Sequence, residues 1–472
     1  MKTSTDMMGK RPVFPLLMAM SLPAMLSMLI QSLYNIVDSM FVAKLGEDAL
    51  TAVSLAYPLQ NLVLSLAVGF GVAVNSCIAR GLGAGKKDEV DRIAAHGVLF
   101  SVIHSLLFLV MDIFLTRPFL QMFTDSQTVL EYACQYTYIV VGAAFACLFH
   151  LLIEKMFQAI GSMLIPMIMQ AVGAIVNIIL DPILIFGWLG FPAMGVVGAA
   201  VATVIGQATA LLLSVFFFVK KCPEIHISFK GFQLESKLVK QLYSVAVPST
   251  MMTALPSVLV SILNGILTGI SQTAVAFFGI YYKFQTFVYM PTNGLIQGMR
   301  PIVSYNYGAG LYGRMKETVR KSMLVIGIFM LAGMLICMLL PGQILDLFSA
   351  GEEMRKIGIP ALRIISSGFV VSAVGVTLSG TFEAVGKGTS SLAIALIRQL
   401  ILIPPLSLLL IEWMGLNGVW ITFPAAEIAA AAAAFAIYRR FLKKHLISEK
   451  KNLSKQSPGD IDFPREMFYI HT

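Results

Sequence analysis

The triplet Gly83-Ala84-Gly85 returns as Gly308-Ala309-Gly310, 225 residues further along the chain. The same offset relates Phe157-Gln158-Ala159-Ile160-Gly161 to Phe382-Glu383-Ala384-Val385-Gly386. Glycine and alanine keep their places in both segments while the residues between them vary. Such a register is typical of an internal repeat, and an internal repeat determines the architecture of a chain.

This register covers most of both halves of the chain and runs without a gap for about 140 residues. Further matching pairs are Pro23/Pro248, Ala49/Ala274, Tyr57/Tyr282, Gln60/Gln285, Gly69/Gly294, Leu120/Leu345 and Phe123/Phe348. The register then slips by two residues, so that Pro182 corresponds to Pro405 and Gly195 to Gly418. The triplets themselves lie where an apolar run meets a basic segment, and they predict tight helix exits. A phosphate-binding loop is disfavoured because its strand and spacing are absent from the sequence.

The composition indicates an all-α integral membrane protein. Hydrophobic residues make up 57% of the 472 residues, charged residues only 12%, and the mean hydropathy is +0.81. Crossing the hydrocarbon takes about 20 apolar residues. We predict twelve transmembrane helices, at 14–40, 50–76, 93–116, 133–153, 163–187, 194–219, 241–265, 274–299, 318–340, 357–380, 390–411 and 417–441. The first run is too long for a secretory signal, and we interpret it as a retained span.

Basic residues predict the orientation in the cell membrane. Of the 34 Lys and Arg residues, 26 belong to the N-terminus, the even-numbered connections and the C-terminal tail, when Arg320, Lys321, Arg439 and Arg440 at span ends are counted with them and Arg300 is counted with its span. The positive-inside rule therefore predicts cytoplasmic N- and C-termini in a multi-pass protein. It also accounts for the net charge of +9 without a nucleic-acid partner.

Six spans in each half bring the second half into the membrane from the same side as the first, so the repeats are parallel. We predict an N-terminal six-helix lobe at 1–219, a polar cytoplasmic linker at 220–240 and a C-terminal six-helix lobe at 241–444. The polar residues at 445–472 are expected to be a disordered cytoplasmic tail.

Acidic residues inside spans are costly in hydrocarbon and therefore suggest function. Asp38 lies towards the outer end of span one. Span five carries Asn177 and Asp181 at i,i+4, on one helical face, with Pro182 directly behind. Pro182 removes the amide that would bond the carbonyl of Ile178. Carboxylate, amide and carbonyl oxygens suit a hard cation such as Na⁺. The alternatives are an interfacial role for Asp38 and a polar, kinked helix contact in span five.

Thr203 in span six lies at a depth similar to that of Asn177 and Asp181, so we add it to the candidate cation-coupling site. The second lobe lacks these groups, because Leu263 stands where the register matches Asp38. We assign four polar side chains to a substrate cavity, namely Tyr34, Gln60, Lys283 and Gln285. For Lys283, a structural ion pair with an acidic residue is an equal alternative to a role in the cavity.

Other polar residues favour structural interpretations. Glu383 aligns with Gln158 and is expected at the interfacial end of span ten, while Arg398 and Glu427 are expected to pair within the bundle. Five cysteines and the histidines lack metal-ligand spacing. No nucleophile and base pair or nucleotide loop is present in the sequence, so an enzyme and a cofactor are not predicted.

Several of these segments resemble the multidrug and toxic compound extrusion (MATE) family over almost the whole chain to about residue 441. They are Val37-Asp38, the run 177–182 (Asn-Ile-Ile-Leu-Asp-Pro), the run 198–203 (Gly-Ala-Ala-Val-Ala-Thr) and the run 301–309 (Pro-Ile-Val-Ser-Tyr-Asn-Tyr-Gly-Ala). The resemblance implies two six-helix lobes in a V-shaped bundle that exports organic, often cationic, compounds in exchange for Na⁺ or H⁺.

In that family, the residues that match Asp38, Asn177, Asp181 and Thr203 are implicated in cation coupling. Some branches place a second acidic site on spans seven and ten, whereas span seven of this chain has no acid and Glu383 is only an approximate substitute. The expected partners are small organic molecules and the lipid bilayer, with a monomeric protein. The rivals are a lipid-linked oligosaccharide flippase, which needs a strongly cationic cavity, and a non-transporting channel or receptor.

Overall fold

The computed structural model describes residues 4–453, apart from the side chains of residues 4, 6 and 445–453. Apolar runs with few breaks form long helices throughout. The first half contains α1 (Ser4–Lys10), α2 (Val13–Ala43), α3 (Glu47–Gly83), α4 (Lys87–Gln121), α5 (Gln127–Val140), α6 (Ala144–Ala159), α7 (Leu164–Phe186) and α8 (Val196–Lys221). The second half contains α9 (Ser236–Thr268), α10 (Gln272–Gly308), α11 (Tyr312–Leu339), α12 (Pro341–Asp346), α13 (Glu352–Ser366), α14 (Phe369–Ala384), α15 (Gly388–Leu396), α16 (Ile403–Met414) and α17 (Leu416–Leu453).

These helices supply the membrane spans. Among the described residues, nine helical segments are long and apolar enough to cross a membrane, and two more spans are bent pairs. α5 and α6 meet at 44°, and α13 and α14 meet at 50°. The one remaining predicted span, 274–299, lies in α10, which is 37 residues long but is not among these apolar segments and carries polar residues that include Lys283 and Arg300. It packs among the other spans, against α2, α3 and α11.

The lipid-facing surface is evident on α4. Leu106, Val110, Ile113 and Phe114 are spaced by one or two helical turns, and all are more than half exposed. Large apolar side chains on the outside of a bundle are expected where hydrocarbon, and not water, surrounds the protein. Exposure of these side chains would favour aggregation in a soluble protein, whereas it is expected for the predicted membrane span.

Glycines of the repeat end helices at matching places. Gly85 and Gly310, which follow α3 and α10, have φ of +69° and +73°. Gly161 and Gly386, which follow α6 and α14, have φ of +87° and +83°. A residue with a Cβ is disfavoured in this left-handed region, whereas glycine adopts it freely. The tight helix exits predicted from the triplets are therefore observed in both halves.

The segment between α8 and α9 is attached to the first half. The side chain of Asp91 accepts a hydrogen bond from the backbone N–H of His226 at 2.7 Å. Arg92 forms an ion pair with Glu235, Nε to Oε1, at 2.8 Å. The polar residues of the predicted linker 220–240 thus hold it against the start of α4. Of the predicted tail 445–472, the backbone of α17 is described as far as Leu453, and residues 454–472 lie outside the described residues.

Candidate cation site and central cavity

α7 and α8 approach closely because glycines face each other where they cross. A Cβ added to Gly206 would lie 2.8 Å from the carbonyl oxygen of Gly173 and 3.0 Å from the Cβ of Asn177. A Cβ on Gly173 would lie 2.9 Å from the carbonyl oxygen of Gly206. Small residues allow such contact between helices in a membrane. The crossing sets Asn177 of α7 opposite Thr203 of α8.

Asn177 joins the polar groups of the two helices. Its Nδ2 donates to Asp181 Oδ1 at 3.4 Å and to Thr203 Oγ1 at 3.5 Å. All three side chains are buried, and Asp181 is fully buried. The structure therefore brings together the three residues that the sequence places at one depth on neighbouring helices.

Asp38 belongs to the same group through α2. This helix packs against α7, and Gln170 Nε2 on α7 donates to Gln31 Oε1 on α2 at 3.2 Å. The Asp38 carboxylate lies within electrostatic reach of Asp181 and of Tyr34. Two carboxylates thus lie in one region of the first lobe. Because their negative charges repel each other, the pair favours binding of a cation or a proton between them.

Three oxygens of this group are buried without a protein donor. Asp38 Oδ1, Asn177 Oδ1 and Asp181 Oδ2 have no hydrogen-bond partner among the described residues. A buried polar atom left in this condition costs about 1–3 kcal/mol, and more when it is charged. A hard cation ligated by oxygens, or a proton shared by a carboxylate, removes that cost. With Thr203 included, the site offers four side chains with oxygen ligands for a cation, two of them carboxylates and two of them neutral.

We predict that Gly206→Val disrupts this site by forcing α7 and α8 apart. Overpacking of a close contact costs about 1–3 kcal/mol, and here it also separates Asn177 from Thr203. We expect a lower thermal unfolding temperature and, at matched protein levels, loss of the ion-driven export that the family resemblance implies, measured with ethidium. Gly327→Val on α11, where an added Cβ meets nothing within 4 Å, is the control and should retain export. Equal export by both variants would show that the close crossing is dispensable.

A cavity of about 690 Å³ lies between the two halves and is lined by residues of both. Tyr34 and Gln285 line it, together with Asn177 and Thr203. Gln60 and Lys283, which we also assigned to the cavity, are not among its lining residues. Gln60 instead donates from Nε2 to the hydroxyl of Tyr136 at 3.3 Å.

The rotation of α10 explains the position of Lys283. The residues of α10 that line this part of the cavity recur every three or four positions, as expected for one face of a helix: Tyr282, Gln285, Thr286, Tyr289 and Asn293. Lys283 is displaced from Tyr282 by one residue, which is about 100° around the helix. Its side chain is consequently exposed on the bundle surface.

A buried cluster that was not predicted lines the end of the cavity next to the last turns of α6 and α14, which we call the cavity floor. Lys155 Nζ donates to Glu154 Oε1 at 2.8 Å, to Gln158 Oε1 at 3.1 Å and to Gln297 Oε1 at 3.3 Å. Lys155 is 4% and Glu154 6% exposed, so water screens the pair little. Gln297 belongs to α10, and this contact therefore connects the two halves.

Glu383 forms a second buried pair at the floor. Its Oε2 accepts from Arg300 Nη2 at 2.7 Å, and its Oε1 accepts from the hydroxyl of Ser249 at 2.5 Å. Glu383 is the penultimate residue of α14 and so lies at the end of span ten, as expected, but it is only 5% exposed and paired inside the bundle. The reason is that α10 carries Arg300 to the end of α14, which gives the carboxylate an internal partner.

The sequence contained a signal for these residues. The predicted fourth span ended at residue 153, so Lys155 was counted with the connection that follows, whereas α6 continues to Ala159. Gln158 and Glu383 correspond in the repeat, and both prove to be buried at the floor. A position that is polar in both halves of a repeat thus indicates a residue inside the bundle.

The remaining charges of the cavity are also paired. Arg398 Nε lies 3.6 Å from Glu427 Oε1, as predicted from their positions within the bundle. Each of the three Lys and Arg residues among the lining residues, Lys155, Arg300 and Arg398, thus has a carboxylate partner. The cavity as described carries no net excess of positive charge from these groups.

Comparisons with known proteins agree with this architecture. The MatE family model matches residues 23–183 and 248–409, two segments that begin 225 residues apart. The Multidrug export protein MepA of Staphylococcus aureus (strain MSSA476) is 27% identical over 432 residues, which cover 91% of this chain and 94% of that protein. A crystal structure of a MATE transporter in the bent conformation is similar with a TM-score of 0.88 at 26% identity, covering 94% of this chain and 98% of that one.

An outward-facing multidrug resistance MATE family transporter of the MOP superfamily is similar with a TM-score of 0.84 at 25% identity, covering 94% of this chain and 97% of that one. These findings confirm the predicted all-α, two-lobe membrane fold and the predicted class, a transporter and not an enzyme. The duplicated match also confirms the repeat on which that prediction was based. The chain belongs to the MatE family, in agreement with the resemblance found in its sequence.

Proposed function

We propose that this protein is a secondary antiporter that exports organic, often cationic, compounds in exchange for Na⁺ or H⁺. The coupling ion binds at Asp38, Asn177, Asp181 and Thr203, and the drug enters the cavity between the lobes. The observation that carries this proposal is the set of three buried oxygens without a protein donor, contributed by both acids and by Asn177. The relatives named as multidrug export proteins and transporters support the class of substrate.

The mechanism follows from the position of α2. Asp38 near one end of this helix faces the acid on α7, while Ser21 and Met25 nearer the other end contact α10 of the second lobe. Pro23 lies between Ser21 and Met25 and lacks an amide hydrogen, so α2 loses a helical hydrogen bond within the part that contacts α10. A cation held between α2 and α7 changes the packing of α2 and thereby the contact with α10.

Such coupling requires that the ion bind one conformation more tightly than the other. We propose that ion binding favours the conformation with low drug affinity, so that the ion entering and the drug leaving alternate at the cavity. Two six-helix lobes, 1–219 and 241–444, move relative to each other around the linker 220–240. Both termini are cytoplasmic, the protein is in the cell membrane, and it acts as a monomer.

The paired charges of the cavity argue against the rival flippase. A lipid-linked pyrophosphate needs unpaired basic groups, because two or more negative charges must be neutralised on binding. Here Lys155, Arg300 and Arg398 are each paired with a glutamate. An organic molecule with one positive charge requires no such excess.

The proposal is tested by ethidium transport in vesicles that contain the purified protein. Na⁺ and pH gradients are imposed separately, and the same vesicles without a gradient provide the baseline. We expect transport under at least one gradient, with collapse when an ionophore dissipates it. Transport that is equal with and without gradients would contradict antiport. Transport of a fluorescent lipid-linked oligosaccharide without ethidium transport would favour the flippase.

A further inference from the structure

The two lobes touch backbone to backbone at the end of the bundle where α3 and α10 finish, which we call the basic end because Lys86, Lys87 and Arg314 follow there. A Cβ added to Gly83 would overlap the carbonyl oxygen of Tyr305 in the other lobe. A Cβ added to Gly308 would overlap the carbonyl oxygen of Arg80. Neither glycine has a positive φ, so the absence of a side chain serves close approach and not a turn.

A second pair of contacts lies further from the basic end. A Cβ on Gly294 of α10 would lie 2.7 Å from the Cα and 2.8 Å from the N of Met25 on α2. A Cβ on Gly69 of α3 would lie 2.5 Å from the N and 2.8 Å from the Cα of Thr250 on α9. Here too the obstacle is the backbone of the partner helix, which cannot move aside as a side chain can.

All eight residues correspond to one another in the repeat. The 225-residue offset relates Gly83 to Gly308, Gly69 to Gly294, and likewise each partner: Arg80 to Tyr305 and Met25 to Thr250. Each lobe therefore presents the same two glycines to the same two positions of the other lobe. The partner residues differ in type while the glycines do not, because the contact is made through backbone atoms.

We propose that these four glycines are positioning residues that set the balance between the two access states of the transporter. With the lobes together at the basic end, a methyl group at any of the four overlaps the opposite backbone. When the lobes separate there, the same methyl group meets no obstacle from the other lobe. An alanine at these positions consequently disfavours one state only, which is the condition for a shift in population.

The inference rests on the alternating access of the proposed function, and its test needs neither ion nor drug. Spin labels at Lys87→Cys and Gly313→Cys report the distance between the lobes at the basic end. Labels at Lys44→Cys and Ile270→Cys report the opposite end. The full chain is used in lipid nanodiscs, with the five native cysteines replaced by serine and an unchanged thermal unfolding temperature shown first.

We expect Gly83→Ala and Gly308→Ala to raise the ratio of the state open at the basic end to the closed state at least about tenfold, which corresponds to about 1.4 kcal/mol. The distance at the opposite end should shorten in the same molecules. Gly294→Ala is a milder variant with a smaller shift in the same direction. Gly265→Ala and Gly327→Ala are matched controls in which the added Cβ meets nothing within 4 Å, and both distances should stay as in the parent.

Reciprocal changes at the two ends distinguish a shifted equilibrium from simple damage to the fold. Unchanged distances in a folded Gly308→Ala or Gly294→Ala variant would overturn the proposal, as would equal shifts in the control variants. If Gly308→Ala does not fold, Gly294→Ala decides. A protein that shows these shifts but no ion-driven export would refute the proposed antiport while leaving the role of the glycines intact.

Discussion

Asp38→Asn and Asp181→Asn are each expected to abolish ion-driven export while the protein is still made and inserted. Asparagine keeps the size of the side chain but can neither carry the charge that attracts a cation nor exchange a proton. Coupling between two sites is typically worth about 1–3 kcal/mol, or about 5- to 150-fold in affinity, and each variant is expected to lose this link between the ion and the drug. The measurement is ethidium export under the gradient that drives the parent protein, normalised to protein in the membrane.

The two variants also separate binding of the ion from binding of the drug. Ethidium binding to purified protein should persist in both, because the drug site that we propose is the cavity, and Asp38 and Asp181 are not among its lining residues. Asp112→Asn is a matched control, since Asp112 is also a buried acid within a span but is hydrogen-bonded to Thr116 at 2.7 Å. Parental export by Asp38→Asn and Asp181→Asn would rule out the assigned site.

The fold was predictable because the features that determine it can be read along the sequence. Apolar runs and a repeated register are properties of the sequence, and parallel lobes follow from an even number of spans in each half. Proximity within one helix is equally accessible, as Asn177 and Asp181 illustrate at i,i+4. Thr203 was assigned to the site only because it lies at a similar depth in the membrane. The contact between Gly173 and Gly206, which brings α7 and α8 close enough for Thr203 to reach Asn177, required the folded structure.

Rotation about each helix axis was not predictable, since it depends on packing against neighbours far away in sequence. Lys283 differs by one residue from the cavity-lining face of α10, and hydropathy cannot distinguish the two positions. The repeated triplets show a related limit. Their positive-φ glycines, Gly85 and Gly310, were correctly predicted to end helices, whereas the contacts of Gly83 and Gly308 across the lobes required the folded structure.

The ends of spans were the hardest features to predict. A shift of one helical turn decides whether a charged residue near an end is assigned to a connection or to the interior of the bundle. Lys155 was assigned to a cytoplasmic connection, yet it is 4% exposed and paired with Glu154 in α6. Glu383 lies at the end of α14, as expected, yet it is buried there and paired with Arg300. In both cases the partner is a polar residue that hydropathy treats as a reason to end the span.

Lys155→Met is expected to be strongly destabilising and to stop export. Removal of the ammonium leaves the carboxylate of Glu154 buried without its cation and takes away the contact with Gln297 of the other lobe. Breaking a buried ion pair by removing one partner costs about 3–5 kcal/mol. Thermal unfolding of the purified protein should therefore shift to a clearly lower temperature.

The charge-free double variant tests whether that cost arises from the uncompensated carboxylate. Glu154→Gln with Lys155→Met removes both charges, and we expect it to recover most of the lost stability, because replacing both members of a buried pair is often nearly neutral. The exposed pair of Lys86 and Glu89 provides the control, Lys86→Met.

The Lys86 side chain is 63% exposed in its pair with Glu89, and such pairs contribute about 0–1 kcal/mol. Among the described residues, Gln297 accepts hydrogen bonds from Lys155 and Gln158. A double variant that regains stability but not export would therefore assign the contact of Lys155 with Gln297 to transport. Equal stability of Lys155→Met and Lys86→Met would show instead that the buried pair contributes nothing that water does not supply.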